Sequence, residues 1–193
     1  MGIIILSGRA RSGKNTFAKF LQKHLREEYY QVAYATYLKM MCREHFDLTN
    51  AQLYGDLKEV PDKRYPRDDG SYWTPREIMQ HMGTEAFRAV DNKFWINKLF
   101  YFIDRHNFKN IIITDARFGD EVEVPVSRGG IHVRIERDHD LVVHGKEHPS
   151  ETSLDDCDAD FIIQNTGTLE DLEDMAKQLI EEIEFYGRKT KTV

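Results

Sequence analysis

The chain opens on an unbroken aliphatic run, Ile3-Ile4-Ile5-Leu6, held between Gly2 and Ser7-Gly8. A run this short, without polar alternation, predicts a strand buried on both faces and stopped by a glycine turn. From Lys14 the spacing changes. Phe17, Ala18, Leu21 and Leu25 recur every three or four residues, which predicts a helix to about Glu28. Val32 to Tyr37 suits a second strand and the LKMMCREHF stretch after it a short helix. Residues 49 to 72 are polar and turn-rich and are expected to be a mobile segment. A well-marked helix start follows, with Thr74 as cap, Pro75 at the first helical position and Glu77 completing a capping box. Helical spacing then continues to about Val90, and a second helix fits Phe94 to Arg105.

The third strand is expected in NIIITDARF, ending at Thr114 and Asp115. A fourth lies in IHVRIERD, where Val133 and Ile135 alternate with Arg134, and a fifth in FIIQN. The last helix sets Leu169, Leu172, Ala176, Leu179 and Ile183 on one face, with Thr168 and Asp171 as its capping pair. Residues 138 to 153 are polar and poorly periodic, and no internal repeat is visible. Strands alternating with helices predict an α/β fold, a five-stranded parallel sheet with helices on both faces. Ligands of such sheets bind at the carboxyl ends of the strands.

Composition narrows the class. At 193 residues and 40% apolar content the chain suits one domain, with or without a small insert, and not a disordered or collagen-like polymer. No run approaches the ~20 apolar residues that span a bilayer, and no charged-then-apolar leader precedes the first strand. Cys42 and Cys157 lie far apart with no CxxC spacing, so a reducing, cytoplasmic setting is expected. The net charge of −6 arises within residues 168 to 186, where seven acids meet one base. The balanced remainder argues against a chain whose main task is gripping a nucleic-acid backbone.

The chemistry begins at Gly8-Arg9-Ala10-Arg11-Ser12-Gly13-Lys14, directly after the first strand and at the opening of a helix. Two glycines four residues apart, followed by lysine, let backbone N–H groups wrap a phosphate at a positive helix end. Lys14 then bridges the β- and γ-phosphates as a mobile point charge. Asn15 stands where a magnesium-binding Ser or Thr is usual, and Thr16 comes next. Further polar groups fall at strand ends and on helix faces: Lys39, Arg76 and Gln80 (four apart, hence on one face), and Arg117. A second phosphate brought against the first would need such guanidinium forks. Asp115 suits a magnesium ligand, a helix cap or an ion-pair partner of Arg117. Trp73 and Trp95 suit packing or base stacking. The eight histidines show no metal-ligand spacing.

GRARSGKNT (8–16), TPREIMQHMGTE (74–85), Asp91, Trp95, TDARF (114–118) and QNTGTLEDL (164–172) together resemble the bacteriophage deoxynucleoside monophosphate kinases. That resemblance implies a P-loop NTPase fold of nucleoside monophosphate kinase type. It divides the chain into a core (1–37, 93–137 and 154–193), an acceptor-binding region (38–92) and a lid (138–153) holding His148, Ser150 and Glu151. It implies ATP bound by Arg11, Ser12, Gly13, Lys14, Asn15 and Thr16, with Arg137 and Asn165 on the adenine side. Lys39, Trp73, Arg76, Gln80 and Arg117 would surround the acceptor, and Thr16 and Asp115 would serve Mg²⁺. Lys14, Arg11 and Arg117 would neutralise charge during transfer. The expected partners are small nucleotides in a host cytoplasm, with a homodimer left open. One alternative is a kinase for a hydroxyl acceptor, such as a hydroxymethylated base in phage DNA, with Asp115, Glu85 or Asp91 as base. The other is a nucleotide-binding protein without catalysis.

Overall fold

A computed structural model describes residues 2–137, 153–154 and 157–189, with side chains as far as residue 185. The chain forms two compact units, one from Met1–Ala33 with His106–Val193 and the other from Tyr34–Arg105.

The first unit carries the sheet. Strands β1 (Gly2–Ser7), β2 (Tyr30–Val32), β3 (Asn110–Ile113), β4 (Ile131–Glu136) and β5 (Phe161–Gln164) stand in the order β2-β3-β1-β4-β5. Every pairing is parallel. β1 is central because its aliphatic run needs cover on both faces. Ile4, Leu6, Ile112, Val133 and Ile135 pack with Phe17, Ala18 and Leu21 of α1 (Lys14–His24). Leu172, Ala176, Leu179 and Ile180 of α7 (Leu169–Lys189) close the same cluster. Ile5 points to the opposite face, where α6 (Gly119–Ser127) packs against β1 and β4. The sheet is therefore covered on both sides, and β1 is its switch point, since the chain departs to β2 and β3 on one edge and to β4 and β5 on the other.

Several sequence expectations change. The first helix ends at His24 rather than Glu28. The second strand stops at Val32, and Ala35 already belongs to α2 (Ala35–Phe46), so only the start of VAYATY is extended. Helix α6 was not assigned from the sequence, although a β3-to-β4 crossover between parallel strands calls for a connecting element there. Leu169, the first residue of α7, shares the face of Leu172 and Ala176 but is 67% exposed at the helix end.

The second unit is helical. After α2 come α3 (Asn50–Tyr54), a 3₁₀ turn (Asp56–Glu59), α4 (Pro75–Gln80), a π-helical stretch (His81–Arg88) and α5 (Phe94–His106). Its core joins Cys42, Leu48, Leu53, Ile78 and Met79. Residues 49 to 72, expected as a mobile connection, hold a capped helix and a hairpin. The Thr49 side chain accepts from Gln52 N–H while Gln52 answers the Thr49 N–H. An antiparallel bridge joins Pro66 to Tyr72, and Trp73 N–H donates to the Tyr65 carbonyl at 3.0 Å. Apolar spacing could not show this, because the hairpin is held by polar groups. Among the described residues no helix is long and apolar enough to cross a membrane.

Candidate active site

β1 delivers the chain into Gly8 at φ 131°, and a Cβ there would lie 2.2 Å from the Ile135 carbonyl oxygen, so only glycine fits. Arg11 (φ 64°) and Gly13 (φ 103°) are also left-handed, the alternation that turns successive N–H groups into one concavity. Gly13 caps α1 without a side-chain hydrogen bond and no acid stands in the first turn, leaving the positive helix end uncompensated. Lys14 Nζ lies across the loop, donating to the Gly8 carbonyl at 2.6 Å and the Arg9 carbonyl at 2.7 Å. Ser12 is 1% exposed, and its hydroxyl finds no partner among the described residues. Arg11 and Asn15 are exposed and Thr16 is half-buried on α1. The arrangement is a backbone cradle for a polyphosphate, with a cation at its mouth.

Ile113, the last residue of β3, pairs with Ile5 of β1, and Asp115 follows two residues after that strand's carboxyl end. Asp115 is half-buried. Arg117 follows, its N–H held at 2.8 Å by the Glu121 carboxylate, which also takes the Phe118 N–H at 3.3 Å. Buried Glu121 thereby caps α6 and fixes the segment carrying Arg117. The Ser153 hydroxyl donates to the Arg117 carbonyl. The remainder of the expected lid, with His148, Ser150 and Glu151, lies outside the described residues. Arg137 is exposed just after β4. Asn165 is buried and donates through Nδ2 to the Ser12 carbonyl at 2.8 Å, in contact with the loop itself.

Beneath the loop, Ser7 and His132 form a buried pair 2.7 Å apart. His132 Nδ1 lies 2.7 Å from the Asp158 carbonyl, which can only accept, so Nδ1 carries the proton and a neutral ring accepts from Ser7 at Nε2. Burial, with the Arg134 charge behind it, lowers the His132 pKa from its usual value. Neither Glu121 nor His132 was singled out from sequence. A carboxylate three residues after Phe118 was a legible capping signal, whereas nothing in the sequence marks His132.

In the second unit the Thr74–Glu77 capping box forms as expected, with Thr74 N–H donating to Glu77 at 2.8 Å and Glu77 N–H to the Thr74 hydroxyl at 3.2 Å. Arg76 and Gln80 are half-buried on α4, and Arg76 is ion-paired to Glu59. Lys39 lies 4.3 Å from the Tyr54 ring centroid. Trp73 carries the Arg67 guanidinium 4.0 Å over its ring, and Arg67 also pairs with Glu77 at 2.7 Å. Trp95 is a packing residue: it is 6% exposed and its indole N–H donates to the Gly83 carbonyl at 2.9 Å. Asp62 is clamped by Arg64, whose hydrogen bonds hold the carboxyl down to about 2. Asp91 accepts from Lys93 N–H at 2.9 Å as a turn residue, and Glu85 lies 3.2 Å from His81. Among the described residues no three His, Cys, Asp or Glu side chains converge as a metal cluster.

The family model for deoxynucleotide monophosphate kinase matches residues 49–176, about two thirds of the chain. The chain belongs to that family. It is an ATP-dependent kinase of the P-loop type. A second model, for chloramphenicol phosphotransferase-like protein, matches residues 1–89. A protein of Acanthamoeba polyphaga mimivirus, provisionally named deoxynucleotide monophosphate kinase, is 29% identical over 189 residues, covering 89% of this chain and 92% of its own. Among solved structures, dephospho-CoA kinase from Campylobacter jejuni is 18% identical at a TM-score of 0.48, over 95% of this chain and 98% of that one. Shikimate kinase from Aquifex aeolicus is 14% identical at 0.47, over 97% and 98%. The fold assignment rests on this chain's own sheet order and loop.

Proposed function

We propose that this kinase moves the γ-phosphoryl group of ATP to the 5′-phosphate of a deoxynucleoside monophosphate, giving ADP and the deoxynucleoside diphosphate. The observation that carries the reading is the glycine cradle with Lys14 across it, in a chain of the deoxynucleotide monophosphate kinase family. An acceptor phosphate oxygen forms the new bond to the γ-phosphorus while the bond to the β,γ-bridging oxygen breaks, and ADP leaves with that electron pair. A phosphate monoester has its second pKa near ~6, so the attacking oxygen is already ionised at neutral pH and no base is required. Catalysis is then alignment and charge neutralisation.

The backbone of residues 8–14, with Arg11, Ser12, Asn15 and Thr16 around it, binds the ATP phosphates. Lys14, Arg11 and Arg117 oppose the charge that spreads over the γ-phosphoryl oxygens. Lys39, Arg76, Gln80 and Arg117 bind the acceptor, with Trp73 beside its base; Arg137 and Asn165 belong to the ATP side. The Thr16 hydroxyl and half-buried Asp115 are hard oxygen donors at the end of β3 and the start of α1, a set that suits Mg²⁺, which takes few protein ligands. When bound, the ion neutralises the β- and γ-oxygens.

A hydroxyl acceptor is the second reading, favoured by the match of residues 1–89 to chloramphenicol phosphotransferase-like protein. A hydroxyl needs a base, and Asp115, Glu85 or Asp91 would supply it. The test is ADP release with ATP and Mg²⁺ against dAMP, dGMP, dCMP, dTMP, dUMP, the ribonucleotides, chloramphenicol and hydroxymethylated DNA. Diphosphate product from a deoxynucleotide is expected. Silence on every monophosphate, with phosphate appearing on an alcohol or the modified DNA, would overturn the first reading.

A further inference from the structure

Asn165 has a role that its place after β5 does not by itself suggest. A carbonyl oxygen only accepts, so the Asn165 atom 2.8 Å from the Ser12 oxygen is the amide nitrogen, and it donates. The peptide joining Ser12 to Gly13 is trans, so its C=O and N–H point in opposite directions. Holding the Ser12 carbonyl on the Asn165 side therefore turns the Gly13 N–H to the other side. Gly13 is the N-cap of α1, and its φ of 103° makes that orientation available.

Asn165 is itself held. Its backbone N–H donates to the Glu136 carbonyl at 2.7 Å, tying it to the end of β4. Three residues on, the reciprocal Thr168–Asp171 bonds (2.7 and 3.2 Å) begin α7. The approach is close: a Cβ on Gly13 would lie 2.5 Å from Asn165 Nδ2 and 3.7 Å from a Leu172 methyl. Gly13 is thus glycine for two reasons, its backbone angle and the amide packed against it.

We infer that Asn165 is a positioning residue of the phosphate loop, fixing the Ser12–Gly13 peptide so that the Gly13 N–H faces the bound polyphosphate. This rests on the phosphate-binding reading of the loop, but it gives Asn165 a task on the loop backbone in place of a contact with adenine. Unlike Lys14, it acts without touching the nucleotide.

The two tasks separate by probe. Binding of Mg²⁺-tripolyphosphate, ATP and GTP to the full chain is measured by calorimetry for wild type and Asn165→Leu, which keeps the shape and removes the donor. Asn165→Ser is measured in the same way if the Leu variant does not fold. The expected result is roughly tenfold or greater weakening of tripolyphosphate and ATP alike, because a buried carbonyl loses its partner. The ATP-to-GTP ratio stays unchanged, and in turnover the KM for ATP rises while that for the monophosphate holds. Unchanged tripolyphosphate affinity, with or without an altered ATP-to-GTP ratio, overturns the inference and leaves the loop reading intact. Failure of the wild type itself to bind tripolyphosphate overturns both.

Discussion

The phosphate loop and the segment from Asp62 to Gln80 are built by different means. The loop is made of backbone: three left-handed residues, carbonyls that anchor Lys14, and a bare helix end. The second segment adds side-chain clamps to its backbone hairpin: Arg64 on Asp62, Arg67 on Trp73 and Glu77, and Arg76 on Glu59. Backbone construction makes the loop intolerant of any added side chain at Gly8 and Gly13. Side-chain construction makes the other segment sensitive to single charges, to pH and, for its exposed pairs, to salt.

On the proposed reading, the largest effect should come from Lys14, whose ammonium lies across the loop. Lys14→Ala is expected to lower kcat about a thousandfold, on the scale of removing one preorganised charge partner from a transition state, with an unchanged circular dichroism spectrum. Near-wild-type turnover would remove Lys14 from the mechanism. Arg76→Ala tests the other region. Losing a charge-assisted contact to the acceptor phosphate should raise the KM for the monophosphate roughly ten- to a hundredfold. Its KM for ATP should not move, and parallel rises in both constants would place Arg76 outside the acceptor set.

The same contrast explains what could be read in advance. Gly8, Gly13 and Lys14 were legible because a phosphate loop is specified by spacing, and Thr74-Pro75-Glu77 because a capping box is local. Four of the five strands were legible from their aliphatic runs, whereas the second was expected over residues 32–37 and lies at Tyr30–Val32, with residues 35–37 in α2. The hairpin over residues 62–73 was not legible, since its bonds run between groups with no period, such as Trp73 N–H to the Tyr65 carbonyl. Neither was the Asn165 contact with Ser12, which spans 153 residues and exists only once β5 is placed. Helix α6, with Pro125 inside it, was left unassigned, although the crossover rule for parallel strands called for an element there.

A smaller effect tests whether local capping holds the second unit's helix. Thr74→Ala removes the acceptor for the Glu77 N–H and should cost about 1 kcal/mol of stability, read as a shift in the urea midpoint with the m-value unchanged. Arg67 also holds Glu77, so Thr74→Ala combined with Arg67→Met should exceed the sum of the single changes. Simple additivity would mean the two contacts act independently.

Acid should separate the two units most finely. His132 in the first has a pKa lowered by burial, so the unfolded chain takes up a proton there, near ~6.5, before the folded chain does. Its contribution to stability is present above that pH and declines as the pH falls below it. Asp62 in the second is held to about 2 by Arg64, whereas an unfolded aspartate titrates near ~3.9, so its contribution persists to lower pH and is lost only between those values. Thermal melts from pH 7.5 to 2.5 should show His132→Gln flattening the upper part of the curve and Asp62→Asn the lower. Protonation of the ring would also turn Nε2 from acceptor to donor and reverse its bond with the Ser7 hydroxyl, immediately before Gly8, so acid weakening of the first unit should begin at the base of the phosphate loop. Amide exchange at Leu6 to Gly8 that is insensitive to pH between 7 and 5 would break that link.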